Sequence, residues 1–218
     1  MLRFHELYLL LVVPVLLLIV YILKSRGKSN VCILFYGVLF YYLIFVGKYT
    51  LFPIPVSEAY LSMIRPNSPF IERINLLPLW TDKNFTFITK EQILNIIMTI
   101  PFGYIVNYVM NKQNFFKLVR SGIILGTIIE TIQLCISLSI KYPYRIIDVN
   151  DIIFNLIGVM IGYLIFRAVS FLFVKVVDLT KMEHNTFTKF VYSKSKVVNK
   201  RTKNKPYSYG GENFLKSE

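Results

Sequence analysis

Hydrophobic residues in this chain occur in long continuous runs, separated by shorter polar segments. An α-helix needs about 20 apolar residues to cross a hydrocarbon core roughly 30 Å thick, and five runs come close to that length. The runs cover residues 7–23, 31–47, 92–110, 119–140 and 152–174. The pattern predicts an all-α membrane protein with about five transmembrane helices, rather than a soluble enzyme.

The runs divide the chain into four regions. Residues 1–47 carry two N-terminal transmembrane helices, and the first is predicted to be a retained anchor because no small-x-small cleavage pattern follows it. Residues 48–91 form a proline-rich segment, and proline argues against a long helix or a regular sheet there. Residues 75–174 include three further transmembrane helices, and residues 178–218 form a basic tail.

Lysine and arginine collect in alternate connections between the runs. They follow the first run, the third run and the fifth run, as Lys24, Arg26 and Lys28; Lys112, Lys117 and Arg120; and the cluster from Lys194 to Lys205. With five crossings, all three groups fall on one side of the membrane, which the positive-inside rule makes cytoplasmic. The sequence predicts a multi-pass cell-membrane protein with its N-terminus outside, residues 48–91 extracytoplasmic and its C-terminus in the cytoplasm.

The net charge of +13 requires no nucleic-acid partner, because much of it lies in the tail. There the basic residues are mixed with Ser, Asn and Gly, a composition that cannot bury a core and predicts disorder. Attraction to anionic lipid headgroups is worth about 1 kcal/mol per basic residue near the surface. Membrane lipids are therefore the expected partners, and no nucleic acid is expected.

Polar side chains occur in the middles of the last three runs, whereas the first two carry no ionisable group there. Those that lead into the fifth run follow each other at intervals of three and four, which is one face of a helix. A charged group at mid-bilayer costs about 2.5–3.5 kcal/mol, so such residues usually face protein or water. The candidate pocket residues are Asn95, Glu130, Gln133, Arg145, Asp148, Asp151 and Asn155.

At the predicted depths these residues converge in the outer half of the membrane, with Glu130 as the floor. We expect a polar pocket within a bundle of helices three to five, open outward or sideways to the outer leaflet, with the first two helices peripheral. A purely structural explanation is also available, because amides often join membrane helices through hydrogen bonds of about 0.6 kcal/mol. Asp148 and Asp151 could cap the fifth helix, and Arg145 could pair with either one.

Carboxylates are the reactive groups that the sequence offers to this pocket. His5 and His184 lie at opposite ends of the chain, which disfavours a histidine metal site or a histidine triad, and we assign no metal and no cofactor. Glu130 and Asp151 are the candidate catalytic residues, since carboxylates perform general acid–base chemistry. The same oxygens could hold a hard cation or bind a ligand without catalysis, and residue spacing does not choose among these.

Four short elements resemble the VanZ family of membrane proteins. Asn75-Leu76-Leu77-Pro78 is similar to the family's Asn-Leu-Ile-Pro-Phe element, and the pair Glu130-x-x-Gln133 to its Glu-x-x-Gln pair. The two others are Asn95 followed by Pro101-Phe102-Gly103, and the stripe Arg145-x-x-Asp148-x-x-Asp151-x-x-x-Asn155-x-x-Gly158-x-x-x-Gly162. Together they make residues 75–174 a VanZ-like region.

The resemblance implies a multi-helix protein of the cell envelope, linked in the family's name-giving member to antibiotic resistance, namely to the glycopeptide teicoplanin. One hypothesis is a protein that binds or modulates a lipid, a cell-wall precursor or a glycopeptide at the outer leaflet. A second is an intramembrane enzyme that uses Glu130 and Asp151. A third is a structural subunit whose polar helices contact a partner in a membrane complex.

Overall fold

Helices make up nearly all of the structure, a computed structural model that describes residues 2, 4–64, 74–78, 89–110, 114–181 and 185–203, with backbone alone for 5–10, 64 and 198–203. In chain order the elements are α1 (His5–Ser25), α2 (Asn30–Leu51), α3 (Glu58–Ile64), β1 (Ile74–Asn75), α4 (Lys90–Val109), α5 (Phe115–Ser139), β2 (Ile147–Asp148), α6 (Val149–Thr180) and α7 (Thr186–Lys203). The strands β1 and β2 pair in parallel.

Four of the helices, α2, α4, α5 and α6, are long and apolar enough to cross a membrane. A shorter apolar stretch, Leu11–Ser25, lies within α1. The predicted all-α, multi-pass membrane fold is confirmed. A fifth crossing by α1, and the side on which each terminus lies, stay predictions.

The distribution of side chains is the reverse of that in a soluble protein. Large apolar residues point outward, and Leu17 and Leu164 are 64% and 61% exposed. Polar residues are fully inside, among them Thr99, Ser137 and Ser170. In a bilayer this arrangement is favourable because hydrocarbon surrounds the apolar surface while the polar groups contact protein.

Glycines allow α4 and α6 to pack with their backbones in contact. A Cβ atom added at Gly162 would overlap the carbonyl oxygen of Ile100, and one added at Gly103 would overlap that of Val159. Small residues are typical of membrane-helix interfaces because van der Waals contact drives the association. This close crossing is the centre of the bundle and fixes the relative positions of the polar residues on both helices.

The bundle has two chemically different ends. At the polar end, α2 and α5 terminate while α4 and α6 begin, and Gln133 Nε2 donates a hydrogen bond to the carbonyl oxygen of Thr50 at 3.0 Å. At the basic end, α4 terminates beside the start of α2, where the Tyr36 hydroxyl donates to the carbonyl oxygen of Val109 at 3.3 Å. The candidate site residues lie at the polar end.

The prediction of a disordered tail from residue 178 is wrong where the structure describes that region. Helix α6 continues to Thr180, and α7 follows with Thr188, Val191 and Ser195 buried on one face. The intervals between these residues are three and then four, which is one face of a helix. Although α7 is polar overall, this face packs against the membrane helices. Residues 204–218 lie outside the described part of the chain.

The proline-rich segment is described only in part. Helix α2 continues to Leu51 and the short helix α3 follows at Glu58–Ile64, so some of the predicted irregular segment is helical. Residues 65–73 and 79–88 lie outside the described part. Residues 74–78 return to the polar end through β1.

Candidate functional site

Asp148 connects three elements at the polar end. It is the N-cap of α6, and its side-chain oxygen accepts a hydrogen bond from the backbone N–H of Asn150 at 2.8 Å. An N-cap carboxylate satisfies an amide that has no partner within the helix. The capping role that the sequence suggested for Asp148 is therefore present, and it fixes the carboxylate at the start of the stripe.

The segment of residues 74–78 is attached to the same point. Asn75 lies opposite Asp148 in the short parallel strand pair, and Asn75 Nδ2 donates to Asp148 Oδ1 at 3.1 Å. The Asn75 side-chain oxygen in turn accepts the N–H of Leu77 at 3.1 Å. Sequence reasoning placed Asn75 in a motif but not in the site, because a contact between residues 73 positions apart leaves no local pattern.

Glu130 on α5 lies level with the beginning of α6. One of its carboxylate oxygens accepts the backbone N–H of Asp148 at 3.3 Å, and the side chain is only 7% exposed. Its carboxylate is within electrostatic range of Asp151 and Asp148. The prediction that Glu130 is the floor of the site is therefore wrong, because Asn155 lies about two helical turns further along α6.

Asp151 is positioned by α4 as well as by its own helix. Its carboxylate accepts a hydrogen bond from the Asn95 side chain and lies within electrostatic range of Asp148, Glu91 and Arg145. Helix α4 begins just before, with a capping box between Thr89 and Gln92. The cap fixes where α4 starts, and so places Asn95 opposite the first turn of α6.

Asn155 is the deepest member of the group on α6. Its side chain is 1% exposed, and its Oδ1 accepts no hydrogen bond from any residue that the structure describes. The Asn155 backbone oxygen accepts from Thr99 Oγ1 at 2.8 Å. Side chains on a helix tilt toward its N-terminus, so the Asn155 amide is directed toward the turn that carries Asp151.

Gln133 and Arg145 donate their hydrogen bonds to the end of α2, and Arg145 interacts with Asp151 only through its charge. Gln133 donates to Thr50, as described above, and Arg145 Nη2 donates to the backbone oxygens of Tyr49 at 3.3 Å and Phe52 at 3.5 Å. The last carbonyls of a helix have no partner within it, which makes the end of α2 a ready acceptor. The expectation that α2 is peripheral to the site is therefore wrong.

Two buried hydroxyls at this end were missed by the sequence reasoning. Neither Ser137 Oγ nor the Tyr144 hydroxyl has a hydrogen-bond partner among the described residues. Burial raises the pKa of Tyr144 above its ordinary value of 10.0, although neighbouring Arg145 lowers it. Both residues could have been found by noting hydroxyls one helical turn beyond Gln133 and next to Arg145.

Among the described side chains, no group of three or more His, Cys, Asp or Glu residues is arranged to hold a metal ion. His184 lies outside the described residues, as does the side chain of His5. Glu130, Asp148 and Asp151 are neighbouring acceptors within electrostatic range of one another.

Comparison with known proteins places the chain in a family. A sequence profile of the VanZ/LLP1 family matches residues 35–173, a range that begins in α2 and includes every candidate site residue. No curated protein and no solved structure matches the chain. Because the profile covers more than half of the sequence, the chain belongs to the VanZ/LLP1 family.

Proposed function

We propose that this VanZ-family membrane protein binds the polar headgroup of a lipid, or of a lipid-linked cell-wall precursor, at the polar end of its bundle. The observation that carries the proposal is the buried side-chain oxygen of Asn155, which has no hydrogen-bond donor among the described residues and lies one helical turn beyond Asp151 on α6. A buried amide oxygen without a donor costs free energy. A ligand that donates a hydrogen bond to it would remove that cost.

The hydrogen-bond inventory indicates which ligand chemistry would suit the site. Asn95 donates to Asp151, and Gln133 and Arg145 donate to carbonyl oxygens of α2, so the hydroxyls of Ser137 and Tyr144 remain as donors without a partner among the described residues. Acceptors are in excess, since each carboxylate has two oxygens and about four lone-pair positions. The ligand should therefore offer O–H or N–H groups, as a sugar, a glycerol or an ammonium headgroup does.

A lipid anchor would explain why such a site lies among apolar helices. The outer faces of the bundle are apolar and would contact acyl or prenyl chains. A headgroup attached to such a chain could enter the polar end sideways from the bilayer. With the orientation predicted from the basic residues, this end faces the outer leaflet, where cell-wall precursors and teicoplanin meet.

An intramembrane enzyme is the second candidate. Glu130 and Asp151 are within electrostatic range of each other but have different partners, the amide of Asp148 for one and Asn95 for the other. Two carboxylates in unlike environments can divide the roles of acid and base. The Glu130→Gln variant separates the two functions, because it keeps an acceptor oxygen but cannot exchange a proton at that position.

The test uses a deletion strain complemented with variants, and every readout is normalised to the amount of the variant in the membrane. We expect the deletion to change the lipid or precursor profile measured by mass spectrometry, with teicoplanin susceptibility as a second readout. Glu130→Ala and Asp151→Ala should each fail to restore the profile, whereas Glu58→Gln, an exposed carboxylate on α3, should restore it.

The same strains discriminate among the hypotheses. Partial activity of Glu130→Gln supports binding, and complete loss at normal abundance supports an enzyme. Reduced abundance of both alanine variants, with Asp151→Asn behaving as wild type, would instead indicate a structural role. Full activity of both alanine variants would refute the proposal.

A further inference from the structure

Helix α7 and the loop between α1 and α2 bring basic residues together at the basic end. The proposed function uses none of them. They lie at the opposite end of the bundle from Glu130 and Asp151. An inference about their partner therefore stands or fails independently of the proposed function.

Helix α7 is fixed to the bundle by its inner face. Its Phe190 ring stacks on Phe35 of α2 at a centroid distance of 5.6 Å, and Phe187 stacks on the same ring at 6.2 Å. Val191 packs into a buried cluster with Tyr108 and Phe166. The helix is therefore docked on α2, α4 and α6, and one of its faces is left free.

This docking places α7 at the level where the apolar part of α2 begins. Phe35 lies only five residues after the first residue of α2, Asn30, and the apolar run starts at Val31. A bilayer around α2 changes from headgroups to hydrocarbon over these residues. The level at which α7 docks therefore favours contact with the headgroup layer over a position away from it in solution.

The free face of α7 carries cations and an apolar side chain. Lys189 and Lys196 are exposed and Val197 is 45% exposed, while Phe187, at the edge of the docked face, keeps 49% of its surface exposed. A helix that lies in a membrane interface typically combines basic residues with apolar ones in this way. The apolar residues would contact the acyl-chain boundary while the lysines reach the phosphates.

A second pair of cations lies where α7 meets the loop between α1 and α2. Lys194 donates a hydrogen bond to the carbonyl oxygen of Met110, the C-cap of α4, at 2.6 Å. Lys28 in the loop is within electrostatic range of Lys194. Asp178 of α6 accepts a hydrogen bond from Tyr192 of α7 at 2.7 Å. An anion between the two lysines would reduce their mutual repulsion.

We infer that α7 and the α1–α2 loop form a binding surface for anionic phospholipid headgroups, with a phosphate held near Lys28 and Lys194 and others along Lys189 and Lys196. Charge complementarity favours this partner, because each basic residue near an anionic surface is worth about fivefold in affinity. The position of α7 along α2 selects a lipid over a soluble polyanion.

Native mass spectrometry of the full chain, incubated in neutral detergent with equal amounts of phosphatidylcholine and phosphatidylglycerol, tests this surface. We expect the wild type to retain phosphatidylglycerol preferentially. The triple variant Lys28→Gln, Lys189→Gln, Lys196→Gln should lose about a hundredfold of that preference, and the exposed pair Lys189→Gln, Lys196→Gln alone about twentyfold.

The matched control replaces three exposed lysines at the polar end, with Lys48→Gln, Lys90→Gln and Lys141→Gln, and should keep the wild-type preference. Thermal unfolding of each variant checks that the fold is retained. Equal retention of both lipids by the wild type would overturn the inference, as would an equal loss in the control. Binding of a single-stranded RNA oligonucleotide in place of phosphatidylglycerol would also overturn it.

Discussion

The polar and basic ends of the bundle differ in how their charges are used. At the polar end both signs occur, and three acids point inward, where each has a hydrogen-bond partner: Glu130 the amide of Asp148, Asp148 the side chain of Asn75, and Asp151 the side chain of Asn95. At the basic end most described charges are cations at the surface, namely Lys24, Arg26, Lys117, Arg120, Lys175, Lys181, Lys189 and Lys196, and two more, Lys28 and Lys194, are partly buried.

The difference shows that charged side chains have different environments at the two ends. Buried carboxylates need fixed partners because an ionised group without one is costly in a medium of low dielectric constant. Surface lysines need none, since water and lipid phosphates solvate them. This contrast is the reason for proposing a specific ligand at the polar end and anionic lipid headgroups at the basic end.

Topology is the prediction with the largest effect, because its outcome is all or none. In a chain without Cys32 and Cys135, a cysteine at exposed Ser57 should react with a membrane-impermeant maleimide in intact cells. A cysteine at exposed Ser193 on α7 should react only after permeabilisation, since basic residues favour the cytoplasmic side. The reverse labelling would place the polar end in the cytoplasm and end the outer-leaflet proposal.

The sequence was sufficient for the parts of the fold that depend on local pattern. Long apolar runs locate α2, α4, α5 and α6, since the length of a run sets whether it can cross a bilayer. The stripe from Asp148 to Gly162 correctly predicted one face of α6, because helix geometry alone relates residues three and four apart.

What the sequence could not provide depends on contacts between distant residues. Two hydrogen bonds, from Asn75 to Asp148 and from Arg145 to the end of α2, depend on how the loops between the helices fold back on the bundle. No local sequence pattern encodes the path of these loops. The depth of Glu130 was misjudged for the same reason, since α6 begins beside Glu130 and not beside the end of α5 at Ser139.

The crossing of α4 and α6 lies between the polar and the basic end. A substitution that disturbs this crossing should therefore destabilise the packing at both ends. We expect Gly162→Ala to destabilise the protein by about 1–3 kcal/mol, because overpacking a tight contact forces backbone shifts, and its Cβ would meet the backbone of α4. Thermal unfolding in detergent measures this.

Gly37→Ala and Gly47→Ala are the matched controls, since an added Cβ at either position meets nothing within 4 Å. These changes should be neutral or slightly stabilising, because alanine favours a helix over glycine. Equal destabilisation by all three variants would show that close packing of α4 against α6 is not the reason for the loss of stability.

Asp148 tests the polar end alone. Asp148→Ala should cost about 1 kcal/mol through loss of the N-cap and should release Asn75 and the segment attached to it. Asp148→Asn keeps a capping oxygen and should retain most of the stability. Thermal unfolding gives the cost, and hydrogen exchange at Leu77 reports the release of the segment. If both variants unfold alike, the charge of Asp148 and not its cap is what stabilises this end.

Lys194 tests the basic end alone and has the smallest expected effect. Burial lowers its pKa below the ordinary value of 10.5, and the nearby charge of Lys28 lowers it further, while Cys32 opposes the shift. Between that lowered pKa and 10.5, Lys194 is protonated when α7 is undocked but largely neutral when it is docked. Docking should therefore strengthen as the pH rises through this window and weaken as it falls.

Spin labels at Ser25 and Val197, both exposed, measure the docked fraction of α7 in neutral detergent as a function of pH. The Lys194→Met variant should abolish the pH dependence, because it keeps an apolar chain of similar length but has no group to titrate. Lys196→Met, which removes an exposed lysine of the same helix, should keep the wild-type profile. A pH profile unchanged in Lys194→Met, or docking that weakens toward high pH in the wild type, would show that burial of Lys194 does not control how α7 is held.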